Sequence, residues 1–224
     1  MTTAAASAPS CEQAALNNAL WCASVVRAQG GGSHFGPTLW WSVEAPPRYY
    51  PRAVTLARAL DAGARQRLDR LAPGDAVKDS FACLPLEGFA LLFEASWYWR
   101  APRPAAAAAE AVVHPGELAD GLAAWGGGAD GLASALLEEP GVTLLADFGA
   151  TGVDAGCALY VGAGVVGVSN LFGAAAAQAR LLDGAAAHAG PLPLVAYEQA
   201  DAAGPLQAAG FRALGPLRVL LKRA

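Results

Sequence analysis

The longest regular pattern in the chain is an alternation of period two near its middle. From Phe89 to Trp99, large apolar residues recur at every second position and more polar residues stand between them. Successive side chains of a β-strand point to opposite faces, so this spacing predicts a long strand with one apolar face. The apolar face would carry Phe89, Leu91, Phe93, Ala95, Trp97 and Trp99, and the other face Leu92, Glu94, Ser96, Tyr98 and Arg100.

Two amphipathic helices are predicted before this strand. Residues 11–29 carry apolar side chains at helical spacing, and the glycines at positions 30–32 then end the helix. Residues 60–71 repeat leucine and alanine at steps of three and four, with arginines largely on the opposite face. Short extended segments rich in Trp, Tyr and Pro are expected between the two helices.

The final third of the sequence alternates between the two periods. Three consecutive strand patterns are followed by a helix, a strand, a short helix and a last strand. The predicted strands are 142–148, 158–161, 165–172, 191–197 and 212–222, and the predicted helices are 174–189 and 200–209. The chain is therefore expected to be an α/β protein.

Composition disfavours several classes of function. The net charge is −4, whereas a nucleic-acid surface needs clustered Lys and Arg, and the nearest cluster (Arg65, Arg67, Arg70) fits the solvent face of a helix. The four cysteines are scattered without a CxxC pair, so no zinc or redox motif is encoded locally. Neither the serine-hydrolase turn nor a P-loop occurs. We expect no nucleic-acid partner and no metal site.

Membrane insertion and secretion are also not expected. No charged residue occurs between Ala155 and Ala179, which is long enough to cross a bilayer, but glycines, Ser169 and Asn170 interrupt that stretch. The first residues lack the basic start and apolar core of a secretory signal. Free thiols fit a reducing compartment, so the predicted localisation is cytoplasmic.

Three features of the C-terminal part carry a family resemblance. They are the order of strand, strand, helix, strand, helix and strand, the Gly210-Phe211 pair before the last strand, and the glycine-joined strand pair in residues 157–172. Together they resemble the GNAT superfamily of CoA-dependent N-acyltransferases. The resemblance implies an α/β (α+β) fold with a mixed, largely antiparallel central sheet flanked by helices.

A run of prolines and alanines after the long strand is typical of a linker. We therefore predict an N-terminal α/β lobe (1–104), a linker (105–116) and a C-terminal GNAT-like lobe (117–224). The N-terminal lobe would either pack on the rest of the chain or form a degenerate GNAT-like half.

The resemblance implies transfer of an acetyl group from acetyl-CoA to an unidentified small-molecule amine. The alternative is a noncatalytic GNAT-fold protein that binds a small molecule or a partner subunit. Because GNAT-like folds often associate through sheet edges, a homodimer is compatible with either function.

Two departures from the family pattern bear on the chemistry. GNAT enzymes carry a Q/R-x-x-G-x-G/A loop, whose backbone N–H groups bind the CoA diphosphate, whereas here Gly173 is followed directly by four alanines. The tyrosine that protonates the departing thiolate would stand four residues before Gly210, where this chain has Leu206. Val168 and Gly173 are the positions that the resemblance places beside the cofactor.

Polar residues at two strand ends are the first candidates for a site. Ser169 and Asn170 end one predicted strand and would contact the substrate, or they form a turn in which Asn satisfies backbone donors. Tyr197 and Glu198 end the next strand, where Glu198 would act as a base through water and Tyr197 as an acid. The alternative for both is that they are strand-end residues in contact with solvent.

The polar face of the long strand gives a second candidate. Glu94 and Tyr98 could anchor a substrate there, since a carboxylate near Arg100 suits an amine or acid ligand. Alternatively, these polar residues lie on a sheet face that is exposed to solvent. The tryptophans and phenylalanines of the opposite face are expected to form core rather than a ligand cage.

Overall fold

The computed structural model describes residues 7–102, 111–112, 133–150 and 152–224. Within them, helices flank one sheet of eleven strands. The helices are α1 (Cys11–Ala28), α2 (Ala62–Asp69), α3 (Ala175–Ala189) and α4 (Gly204–Ala208), with a 3-10 turn at Ser134–Glu138. The strands are β1 (Ser33–Phe35), β2 (Leu39–Ser42), β3 (Ala53–Thr55), β4 (Ala76–Asp79), β5 (Phe89–Arg100), β6 (Ala111–Val112), β7 (Val142–Gly149), β8 (Gly152–Gly162), β9 (Val165–Phe172), β10 (Leu194–Glu198) and β11 (Arg212–Lys222).

The two parts of the chain exchange strands at the centre of the sheet. The strand order is β1-β2-β3-β4-β11-β5-β10-β9-β8-β7-β6. The long strand β5 lies between β11 and β10, both from the C-terminal part, while β11 lies between β5 and β4 of the N-terminal part. Each part therefore contributes one strand, β5 or β11, that lies between two strands of the other part. The predicted linker, residues 105–116, lies mostly outside the described residues.

A parallel strand–helix–strand crossover occurs on each side of the exchanged strands β5 and β11. Strand β3 leads through α2 to the parallel strand β4, and β9 leads through α3 to the parallel strand β10. The remaining pairs of the described strands are antiparallel. The predicted fold class, a mixed and largely antiparallel sheet flanked by helices, is confirmed.

The helices cover the two faces of the sheet. Helix α1 packs with Val54, Leu144 and Ala158 on one face, and α3 packs with neighbouring residues of the same strands, such as Leu145 and Leu159, on the other. Side chains alternate along strands, so successive residues enter different cores. A bulge in the pairing of β5 with β11 shifts the predicted alternation in β5, so that Leu91 is exposed.

Helix α1 is fixed at both its start and its middle. Ser10 and Gln13 form a capping box, which satisfies free N–H groups of the first turn. The buried Asn17 donates hydrogen bonds to the carbonyls of Tyr160 and Gly162 in the β8–β9 hairpin, both at 3.0 Å. A Cβ at Gly167 would stand 2.0 Å from the Asn17 Oδ1 atom, so only glycine permits this close approach.

No helix among the described residues is long and apolar enough to cross a membrane.

Candidate functional site

The sheet opens between β9 and β10. These parallel strands pair at only two positions, Val166 with Leu194 and Gly167 with Val195. Beyond them lies a cavity of about 260 Å³, with α1 on one side and Leu206 of α4 on the other. Because α1 and α4 belong to the cores on opposite faces of the sheet, the cavity passes through the sheet at the point where the strands separate.

A β-bulge shapes the β9 wall of this cavity. Ala158 of β8 pairs with Ser169, and Gly156 pairs with Phe172, so β9 contains one extra residue over this interval. Asn170 lies within the bulge and has a φ of 54°, a left-handed conformation that Asn adopts more readily than most residues. The bulge interrupts the regular pairing of β9 beside the cavity.

The connection between β2 and β3 closes the cavity near this bulge. Its buried Tyr50 hydroxyl accepts a hydrogen bond of 2.9 Å from the Asn170 side-chain amide. Burial, as the main cause, raises the pKa of Tyr50, so the phenol remains protonated. Since its oxygen accepts from Asn170, its own hydrogen can be donated to another acceptor.

A buried lysine enters the cavity from β4. Lys78 is 3% exposed, and its Nζ atom donates a hydrogen bond of 2.8 Å to Oδ1 of Asn18 in α1. The same ammonium lies 3.8 Å from the ring centroid of Tyr197, which also packs edge-on against Trp97. Cation, amide and aromatic ring therefore form one polar wall.

Glu198 and Ser169 also belong to the polar lining. Glu198 is half-buried, and its carboxylate accepts a hydrogen bond of 2.8 Å from the N–H of Gln199. Ser169 is half-buried on β9. Burial, as the main cause, raises the pKa of the adjacent Cys22 thiol to about 11, while Lys78 acts in the opposite direction. Cys22 is therefore a neutral wall residue at physiological pH.

The structure brings together five of the residues singled out in the sequence and separates three others. Tyr197, Glu198, Val168, Ser169 and Asn170 all line the cavity. Glu94 is exposed on β5, and Tyr98 is buried in the core beneath α3. Arg100 is paired with Asp183 at 2.8 Å and not with Glu94.

The third separated residue, Gly173, lies in a very short connection. It forms with Ala174 the whole link between β9 and α3, and its φ is 108°. Helix α3 has no side-chain cap at Ala174, and residues 173–176 are exposed. The first-turn N–H groups of α3 are therefore accessible, but the link itself provides no longer loop of backbone donors.

Sequence reasoning missed the residues that the N-terminal part contributes. Lys78, Asn18 and Tyr50 reach the cavity from a short strand, a helix and a loop that are distant in sequence. One signal was available: two charged residues, Lys78 and Asp79, follow the apolar Val77 in the segment that forms β4, and Asn18 interrupts the apolar face of α1. Polar residues at buried positions require partners, so such positions are worth testing as site residues.

Solved structures with a similar fold include proteins described as GNAT acetyltransferases. A GCN5-related N-acetyltransferase from Kribbella flavida is 14% identical, with a TM-score of 0.65 over 97% of each chain. A protein from Novosphingobium aromaticivorans described as a GNAT-family acetyltransferase is 16% identical, with a TM-score of 0.60 over 91% of this chain and 99% of that one. A conserved Staphylococcus epidermidis protein of unknown function is 8% identical, with a TM-score of 0.56 over 87% and 95%.

These similarities establish a GNAT-like fold for the chain. No family model and no curated protein sequence matches it.

Proposed function

We propose that the protein is an N-acyltransferase that moves an acetyl group from acetyl-CoA to a small-molecule amine within the β9–β10 cavity. The observation that carries the proposal is the opening of the sheet at a bulged strand, where Glu198 and Tyr197 meet in one cavity. Fold alone is weak support for function, so the proposal depends on this site.

The site fits the acyl donor in part. The uncapped, exposed N-terminus of α3 suits an anion, because helix N-termini present free N–H groups and a positive dipole end. The two-residue link of Gly173 and Ala174 replaces the longer loop of GNAT enzymes. We therefore assign the diphosphate to the first turn of α3 and expect weaker binding than a complete loop would give.

The side chains of the cavity supply proton transfer. Acetyl-CoA, when bound, would supply an acyl carbon activated as a thioester. Glu198 is the one carboxylate among the described residues that line the cavity, so we assign it to accept the proton from the attacking amine through water. The Tyr197 hydroxyl would donate the proton that the departing sulfur requires. Leu206, which is buried in the cavity wall, has no proton to donate.

The test is isothermal titration of the protein with acetyl-CoA and with CoA. We expect dissociation constants in the micromolar to millimolar range, corresponding to about −8 to −4 kcal/mol. Ser169→Tyr should abolish binding by filling the cavity, whereas the matched change Ser33→Tyr on the distant strand β1 should leave it unchanged.

Absence of binding up to millimolar concentrations would reject the acyltransferase proposal. It would favour the alternative of a noncatalytic GNAT-fold protein whose cavity binds another small molecule. The two-residue link and Leu206 are the observations that support this second function.

A further inference from the structure

Lys78 differs from two other largely buried cations among the described residues, Arg100 and Arg218. Arg100 is 4% exposed and pairs with Asp183, and the Arg218 side chain is 14% exposed and pairs with Asp79, in both cases at 2.8 Å. Lys78 is equally buried, but no described carboxylate forms an ion pair with it. Buried charges are normally paired, because removing an ion from water is costly.

The contacts of Lys78 leave part of its bonding capacity for a ligand. An ammonium group has three N–H donors, and one of them is directed to Asn18 Oδ1. The face of Tyr197 stabilises the positive charge without accepting a conventional hydrogen bond. Because Lys78, Asn18 and Tyr197 all line the cavity, a ligand there can reach the ammonium directly.

The cavity also contains a negative group. Glu198 lines it from the end of β10, with one carboxylate oxygen bonded to the N–H of Gln199. Glu198 and Lys78 do not form an ion pair with each other. One cavity thus presents a cation and an anion at separate positions, an arrangement complementary to a zwitterion.

We propose that the amine substrate is an amino carboxylic acid whose carboxylate binds the Lys78 ammonium and whose amine faces Glu198. This inference rests on the proposed function, since it names the substrate class of the same site. A volume of about 260 Å³ lies just below the range typical of ligand pockets, roughly 300 to 1,000 Å³, and suits a molecule of amino-acid size.

A carboxylate fits better than a phosphate group. A phosphate presents more oxygen acceptors and is usually held by several cationic or backbone donors. Lys78 is the single cation among the described residues that line the cavity, and the other side-chain donors there are neutral, such as the Tyr50 hydroxyl and the Gln199 amide. Inorganic phosphate is therefore the competing anion that the experiment must include.

The experiment is calorimetric titration of the full chain, without any acyl donor, with unbranched ω-amino acids of two to six carbons and with their carboxamides. We expect at least one acid to bind about tenfold or more tightly than its own amide, as one charge-assisted hydrogen bond provides. We expect inorganic phosphate to bind more weakly than that acid.

Variants of Lys78 test whether this residue causes the preference for acid over amide. Lys78→Met keeps most of the stem and should abolish the preference for acid over amide, while Lys78→Arg should retain part of it. Lys222→Met is the matched control, because Lys222 also lies over an aromatic ring, that of Phe89 at 4.9 Å, but lies outside the cavity lining. It should leave the preference unchanged.

Equal binding of acids and amides by the wild-type protein would overturn the inference without requiring any variant to fold. Persistence of the preference in Lys78→Met, or tighter binding of inorganic phosphate than of every acid, would also overturn it. Since no acyl donor is present, these outcomes are independent of the CoA titration that tests the proposed function.

Discussion

The two parallel crossovers of the sheet, β3–α2–β4 and β9–α3–β10, begin alike and end differently. Each pairs its strands at two positions, Ala53–Val77 and Val54–Lys78 in one case, and Val166–Leu194 and Gly167–Val195 in the other. At the end of β3, the Thr55 hydroxyl accepts a hydrogen bond of 2.9 Å from the N–H of Ser80, which follows β4, and so joins the two strand ends.

Register places Val168 and Tyr197 at the positions that correspond to Thr55 and Ser80. A valine has no hydroxyl with which to bridge the gap, and here the strands enclose the cavity instead. The polar side chain that ends β4 bonds to protein: Asp79 accepts from the N–H of Leu84 and pairs with Arg218. We call the β3–α2–β4 crossover closed, because Thr55 and Asp79 bond to protein groups, and the β9–α3–β10 crossover open, because its strand ends face the cavity. Lys78 is the polar side chain of the closed crossover that also faces the cavity.

The largest expected effect comes from dividing the chain. If residues 1–102 and 111–224 are produced separately, neither should fold alone, because β5 and β11 each require the other part as a neighbour. Mixing the two fragments should restore cooperative unfolding. Circular dichroism during thermal denaturation measures both states. A cooperative transition in either isolated fragment would contradict the exchange of strands.

The closed crossover should depend on its buried ion pair. Asp79→Asn leaves Arg218 without its carboxylate in a buried site, and we expect a loss of about 3 to 5 kcal/mol in the free energy of unfolding. Asp183→Asn is the matched change in the other half. Since Asp183 is 65% exposed, water can take its place beside Arg100, and this change should cost less than Asp79→Asn. Urea denaturation tests the difference, and equal costs would refute it.

The bridge between the strand ends gives a smaller effect. Thr55→Val removes the acceptor for the buried N–H of Ser80 and should cost about 1 to 3 kcal/mol. In the open crossover, Ser169 has no hydrogen-bond partner for its side chain among the described residues, so Ser169→Ala should change stability by less than about 0.5 kcal/mol. If Ser169→Ala proves the more destabilising in urea denaturation, the two crossovers do not differ as described.

The smallest effect concerns an ion pair that joins the two parts. A hydrogen bond from Arg27 is the main cause that lowers the pKa of Glu139 below its ordinary value of 4.5. A depressed carboxylate pKa stabilises the protein above that ordinary value, and the stabilisation disappears as the pH falls through the folded-state pKa. Arg27 is largely exposed, so the contribution should be under about 1 kcal/mol.

The pH dependence of unfolding checks this assignment. Glu139→Gln should flatten the decline in stability that the wild-type protein shows below about pH 5. An unchanged pH profile in that variant would show that Glu139 does not cause the decline in stability at low pH.

Local patterns predicted most elements but not their arrangement. The existence of β5 as a long strand and the glycine boundary of α1 arise from nearest neighbours along the chain, so the sequence was sufficient for them. The bulge that exposes Leu91 depends on pairing with β11 and was not predicted. The exchange of β5 with β11 depends on pairing between distant residues, which no local period encodes. For the same reason Tyr197 and Glu198 could be predicted at a strand end, whereas the contribution of Lys78 from β4 could not.

Hydrogen–deuterium exchange with and without acetyl-CoA tests most directly whether the β9–β10 cavity is the functional site. We predict slower exchange in residues 165–172 and 194–199, which border the open crossover, and no change in residues 53–55 of the closed one, which lie outside the cavity lining. Protection of the closed crossover alone, or no protection anywhere at saturating acetyl-CoA, would contradict the claim that the β9–β10 cavity is the functional site.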